Sequence, residues 1–154
     1  TTGIRRAELI NIKTRQIDFS QKSIKVIGKR NKERIIPLLD CTLQLIKTYN
    51  EERNDLEVIK ENDVLILSTA GNKVSESFVY RLIKEYFSTV SQKEKKSPHV
   101  LRHSFATHLL NNCADLNSVK ELLGHASLSS TQIYTHSSLA ELKKVYQEAH
   151  PRNK

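Results

Sequence analysis

The feature that most restricts the fold is a change of period between Gln16 and Leu38. There, apolar residues come in short alternating bursts: Ile17 and Phe19, a polar Ser20-Gln21-Lys22 turn, Ile24 and Val26, a charged turn over Gly28 to Lys32, then Ile35-Ile36 ending at Pro37. Alternation broken by turn residues predicts a three-stranded antiparallel meander. On both sides of it the spacing is helical. Ile4, Leu9 and Ile12 predict a short helix over Arg5 to Ile12, and Asp40 is placed to cap a helix carrying Leu43, Leu45, Ile46 and Tyr49. After a short strand at Val64 to Leu67, Ser75 starts a helix with Phe78, Leu82, Ile83, Tyr86 and Phe87 on its buried side. Ser97 as cap and Pro98 in the first helical position open another, expected to run to about Cys113 and to anchor itself through Leu101, Phe105 and Leu109. Leu116 to Leu123 forms the next, stopped by Gly124, and Ser138 to Ala149 makes a last amphipathic one with Leu139, Leu142, Val145, Tyr146 and Ala149 on one stripe. The expected fold is therefore α+β, mainly helical, with one small antiparallel sheet at its edge. A chain of 154 residues is long enough for a single domain with a real core.

Charge narrows the class of partner. The chain has 25 Lys and Arg against 17 Asp and Glu, a net +8, which favours a polyanion, nucleic acid first, over an acidic or small neutral ligand. Cys41 and Cys113 form no C-x-x-C pair and are expected to be free core thiols in a reducing cytoplasm. No apolar stretch approaches the roughly 20 residues of a membrane span. A start on Thr1 with no methionine anywhere suggests a piece of a longer polypeptide.

The stretch SPHVLRHSFATHLL, Ser97 to Leu110, sets His99 and Arg102 three apart on one face of a helix whose start is fixed by Pro98. The unpaired N–H groups and positive dipole end of that first turn add to the two side chains, which together make a site for a phosphate oxygen. His99 and His103, four apart, also have the separation of two zinc ligands on a helix. However, H-E-x-x-H needs a glutamate where Val100 stands, and Arg102 repels a cation. Read alone, the segment leaves an anion site and a pair of locally hydrogen-bonded histidines both open.

Four further stretches carry matching chemistry: TGIRRAEL (Thr2 to Leu9), GKRNKERIIPL (Gly28 to Leu38), LLGH (Leu122 to His125) and STQIYTH (Ser130 to His136). In this order, with H-x-x-R between the second and third, they resemble the catalytic domain of the tyrosine recombinases, the phage-integrase family, and in particular its bacterial Xer-like branch. The resemblance covers nearly the whole chain. By motif it assigns Arg5, Lys29, His99, Arg102, His125 and Tyr134 to the catalytic set, with Glu8 supporting Arg5. It implies the mainly helical catalytic fold and, across residues 1–154, a C-terminal catalytic domain without the N-terminal core-binding domain and without the first catalytic-domain helix.

The reaction implied by the resemblance is transesterification at a DNA phosphodiester. Tyr134 attacks phosphorus, the 5′ oxygen leaves, and a 3′-phosphotyrosyl link holds the strand until a 5′ hydroxyl reverses the step. Arg5 and Arg102 would meet the charge that develops at phosphorus, Lys29 would protonate the leaving oxygen, His99 would accept the tyrosine proton and His125 would donate to a phosphate oxygen. No metal or cofactor is implied. Double-stranded DNA is the implied partner, with Arg6, Lys13, Arg30, Lys32, Arg34, Lys73 and Arg81 expected to contact phosphates. Other protomers are implied as well, in a tetramer on synapsed DNA in which the last helix docks in cis or on a neighbour. Arg30 stands where the family often has glycine. His103, His108 and His136 are assigned to structure, and His150 to the surface. The implied location is a bacterial cytoplasm, at the nucleoid. Two rivals share the motifs: a type IB topoisomerase-like enzyme that relaxes DNA, and a non-catalytic DNA-binding module on the same scaffold.

Overall fold

The computed structural model describes residues 2–28, 31–90, 97–124 and 136–150. In chain order they form α1 (Arg6–Leu9), a 3₁₀ turn (Thr14–Gln16), β1 (Ile17–Asp18), β2 (Ser23–Ile27), β3 (Glu33–Pro37), α2 (Asp40–Asn54), α3 (Glu76–Val90), α4 (Pro98–Asn111), α5 (Leu116–Leu123) and α6 (His136–Ala149). The class is α+β and mainly helical, and the meander is antiparallel in the order β1-β2-β3. Ile24 pairs with Ile17 on one side and Ile36 on the other, and Val26 pairs with Arg34. Since alternate residues share a face, Ile24, Val26, Arg34 and Ile36 form the inner surface of the sheet.

Helices α5 and α6 lie against β3, and α4 packs on both of them. The core that results joins Ile24, Val26 and Ile36 to Phe105 and Leu109 of α4, Val119 and Leu122 of α5, and Leu142, Tyr146 and Ala149 of α6. The last helix thus closes the core of its own chain. A smaller cluster of Ile10, Val74 and Val79 seats α3 against α1.

Several expectations are corrected here. Leu39, not Asp40, is the N-cap of α2, and Leu45 on that helix is exposed. Val64 to Leu67 makes isolated bridges to Lys13 and Lys73 instead of a full strand, although Val64, Leu65 and Leu67 are all buried. On α3 the buried residue is Val79, whereas Phe78, Leu82 and Tyr86 are exposed. The four-residue α1 is too narrow to cover more of that helix. Leu101, a turn before Phe105, is also exposed, so the buried anchors of α4 are Phe105 and Leu109. Both cysteines are free and exposed, because the inward positions around them belong to Leu39, Leu43 and Ala114. His103 and His108 lie on the exposed side of α4. By contrast His150 is 1% exposed, with its ring 5.0 Å from that of Tyr146 and 6.0 Å from that of Phe105.

Candidate phosphate-binding site

Helix α5 is short but firmly started: Asp115 Oδ1 accepts from the backbone N–H groups of Asn117 (2.9 Å) and Ser118 (3.0 Å). It ends at Gly124, which takes a left-handed conformation with φ 64°. The last carbonyls of a helix have no partner within it and carry the negative end of the dipole. Here three of them in succession accept from three guanidinium groups. Arg34 Nε donates to Leu122 O (2.8 Å), Arg102 Nη2 donates to Leu123 O, and Arg5 Nη2 donates to Gly124 O (2.8 Å). The end of one eight-residue helix therefore gathers arginines from α4, from the sheet and from the chain start 119 residues away.

Glu8 is the counterion at the centre, 6% exposed. Its carboxylate accepts from the Arg5 backbone N–H (2.9 Å) and Arg5 Nη1 (2.7 Å), and the fork of Arg34 closes on both of its oxygens, Nη1 to Oε1 at 2.9 Å and Nη2 to Oε2 at 2.7 Å. Burial pushes this carboxyl up, but the bonds from Arg34 and Arg5 outweigh it and hold the group at about 2, against an ordinary 4.5. Arg102 completes its own placement by donating from Nη1 to Gly3 O at 2.6 Å. Gly3 has φ +59°, and a Cβ there would lie 2.4 Å from Phe105 Cδ1. Only glycine lets the chain pass over that ring with its carbonyl turned to Arg102.

Two guanidiniums, those of Arg5 and Arg34, bond the one carboxylate, and with Arg102 close by the surplus is positive. Arg102 feels it: burial first, then the charges of Arg5 and Arg34, bring its guanidinium down to about 10 from 12.5, with Glu8 opposing. It stays protonated at neutral pH, and among the described residues it bonds carbonyls and no carboxylate. Beside it lies a cavity of about 270 Å3 lined by Ile4, Arg5, Arg6, Tyr80, Pro98, His99 and Arg102. A larger open hollow of about 740 Å3 lies beside the sheet, but there Lys25 is paired with Glu33, and neither His99 nor Arg102 lines it.

Arg5, Glu8, His99 and Arg102 are therefore brought together, with His99 exposed on the first turn of α4. Lys29, Arg30, His125 and Tyr134 lie outside the described residues. Among the expected phosphate contacts, Lys32 and Arg81 are exposed, and Lys73 Nζ donates to Asn11 Oδ1 at 2.5 Å. Lys13 pairs with Asp63, and Arg6 pairs with Glu76 at 2.7 Å, its guanidinium 5.9 Å from the Tyr80 ring centroid. These pairs are open to solvent, and each is worth little to the fold. Arg34 is corrected: 5% exposed and committed to Glu8 and Leu122, it has no surface to offer DNA. Its sequence signal was alternation, since it stands two before Ile36 and opposite Val26. Among the described residues no three His, Cys, Asp or Glu side chains cluster as a metal ion needs, and no helix is long and apolar enough to cross a membrane.

Residues 1–141 match the family described as the phage integrase family. The tyrosine recombinase XerC of Chlorobaculum parvum is 42% identical over 154 residues, 97% of this chain and 46% of its own length. Among solved structures, XerA recombinase superposes with a TM-score of 0.73 at 34% identity, covering 98% of this chain and 55% of that one. The XerH site-specific recombinase bound to a palindromic difH substrate gives 0.72 at 28% identity, covering 98% of this chain and 40% of that one. The chain spans about half the length of the proteins it matches.

Proposed function

This chain belongs to the phage integrase family, and we propose that it is the catalytic part of a site-specific DNA recombinase that cuts and rejoins strands through a 3′-phosphotyrosyl intermediate. The observation that carries the reading is the meeting of Arg5, His99 and Arg102 around one cavity, with both guanidiniums pinned from behind by carbonyls and Glu8. The parts of each fork not used in those bonds remain for the nonbridging oxygens of a phosphodiester. Because the cations are held before the substrate arrives, they meet the charge of the five-coordinate phosphorus without reorganising.

Tyr134 Oη attacks phosphorus and its proton passes to His99. The P–O5′ bond breaks, and Lys29, which follows β2 in the sequence, protonates the departing oxygen. His125, next after Gly124, donates to a phosphate oxygen. Attack by a 5′ hydroxyl on the phosphotyrosine reverses each step, so neither water nor a nucleotide cofactor is consumed. Arg6, Arg30, Lys13, Lys32, Lys73 and Arg81 position the duplex by phosphate contacts. The recombining assembly is a tetramer of complete protomers on two synapsed duplexes.

The test is a duplex nicked so that the 5′ end diffuses away after cleavage. The complete protein is expected to accumulate a covalent adduct that disappears in Tyr134→Phe while duplex binding persists. Binding without any adduct in the wild type would instead identify a non-catalytic DNA-binding module.

A further inference from the structure

Arg34 sits at an inward register position of β3, where its neighbours on the same face are Ile24, Val26 and Ile36. A charge in such a place is tolerated only if its donors are met. They are met by Glu8, through both oxygens, and by Leu122 O. Each partner belongs to the arrangement that holds the two cavity arginines. Glu8 also binds Arg5, and Leu122 O is followed by the carbonyls that accept from Arg102 and Arg5. Arg34 itself does not line the cavity.

Two close approaches show how tightly it is enclosed. A Cβ on Gly124 would lie 3.1 Å from Arg34 Cδ and 3.2 Å from Nη1. One on Gly28, the last described residue of β2's side of the hairpin, would lie 3.3 Å from Glu8 Oε1 and 3.7 Å from Arg34 Nη1. The same guanidinium therefore bonds the end of α5 and lies close to Gly28, just after β2. Replacing a buried ion pair by apolar side chains of equal volume is often neutral for stability. What a planar fork adds over them is fixed geometry.

We propose that Arg34 is a positioning residue of the phosphate site: its fork, closed on Glu8 and on Leu122 O, sets the spacing and orientation of the Arg5 and Arg102 guanidiniums and ties the β2–β3 hairpin to them. The proposal rests on the reading of this cavity as a phosphodiester site. Lysine at position 34 keeps the charge but offers a single ammonium to three acceptors that the fork meets with three separate N–H groups. Such a side chain leaves Glu8 free to tilt, and Arg5 with it.

The experiment compares wild type, Arg34→Lys and Arg34→Met in the complete protein by three measurements: unfolding midpoint, affinity for a duplex, and rate of adduct formation on the nicked substrate. A fourth, independent of catalysis, follows the side-chain N–H signals of Arg5 and Arg102 by NMR. Arg34→Lys is expected to fold and to bind duplex within about threefold of wild type, because affinity is spread over many phosphate contacts. Its adduct rate should fall by about a hundredfold, the scale of a reacting group displaced by an ångström, and the signals of Arg5 and Arg102 should move. An unchanged rate in Arg34→Lys overturns the proposal, as does a loss of rate accompanied by unmoved arginine signals. If the wild type forms no adduct, the recombinase reading fails by itself, and the arginine signals still decide whether Arg34 positions its neighbours.

Discussion

Replacing Glu8 by glutamine removes one proton-binding group and nothing of the side chain's shape, and the consequence can be worked out. The carboxyl is held at about 2 instead of 4.5, and each pH unit of such a difference is worth about 1.4 kcal/mol. The ionised group therefore contributes about 3 kcal/mol to folding at pH 7, in the range of about 3–5 kcal/mol found when one partner of a buried ion pair is deleted. The amide also turns N–H donors toward the donors of Arg34 and Arg5, which now meet in the interior. The sign with pH is fixed by which state takes up the proton first. The folded value is the lower one, so the unfolded chain is protonated first. The contribution is complete above the unfolded value of 4.5 and drains away as the pH falls toward 2. Glutamine has no such proton, so the gap between the two proteins must close on acidification, by about 2 kcal/mol near pH 3. Urea unfolding reads this directly: at a slope of about 2 kcal/mol per molar, the Glu8→Gln midpoint should lie about 1.5 M lower at pH 7, with a much smaller gap near pH 3. Coincident midpoints at pH 7, or a gap that does not change with pH, would refute the role given to Glu8.

Two further outcomes follow from the same site. Gly3→Ala puts a methyl 2.4 Å from Phe105 Cδ1 on a backbone at φ +59°; it should cost about 2 kcal/mol or more in urea unfolding and weaken duplex binding, because Gly3 O can no longer hold Arg102. Inorganic phosphate or orthovanadate near pH 8 should raise the melting temperature of the wild type and have little effect on Arg102→Gln.

Periodicity and motif spelling read a large part of this protein. The meander, the short α5 stopped at Gly124 and the apolar stripe of α6 follow from local spacing and turn chemistry, which act within a few residues and so are written in the chain. The same holds for Arg5 with Glu8 and for His99 with Arg102, since residues three apart on a helix or its first turn share a side whatever lies elsewhere. Arg34 was misread because its neighbours Arg30, Lys32 and Glu33 make a charged hairpin that looks solvated, while its actual environment comes from α1 and α5. The stripe of Phe78, Leu82 and Tyr86 was misread for the converse reason: period shows that a helix has an apolar side, but only packing shows which residues a neighbour covers.

What tertiary structure alone decided is the organisation of the arginines. Backbone carbonyls carry no residue identity, so nothing in the letters of Leu122, Leu123 and Gly124 announces that their oxygens would gather three guanidiniums. That depends on a helix end and three distant segments arriving at one point, and on burial strengthening each bond once they are there. Residue types determined the chemistry available to this chain; long-range packing determined where its charges are held.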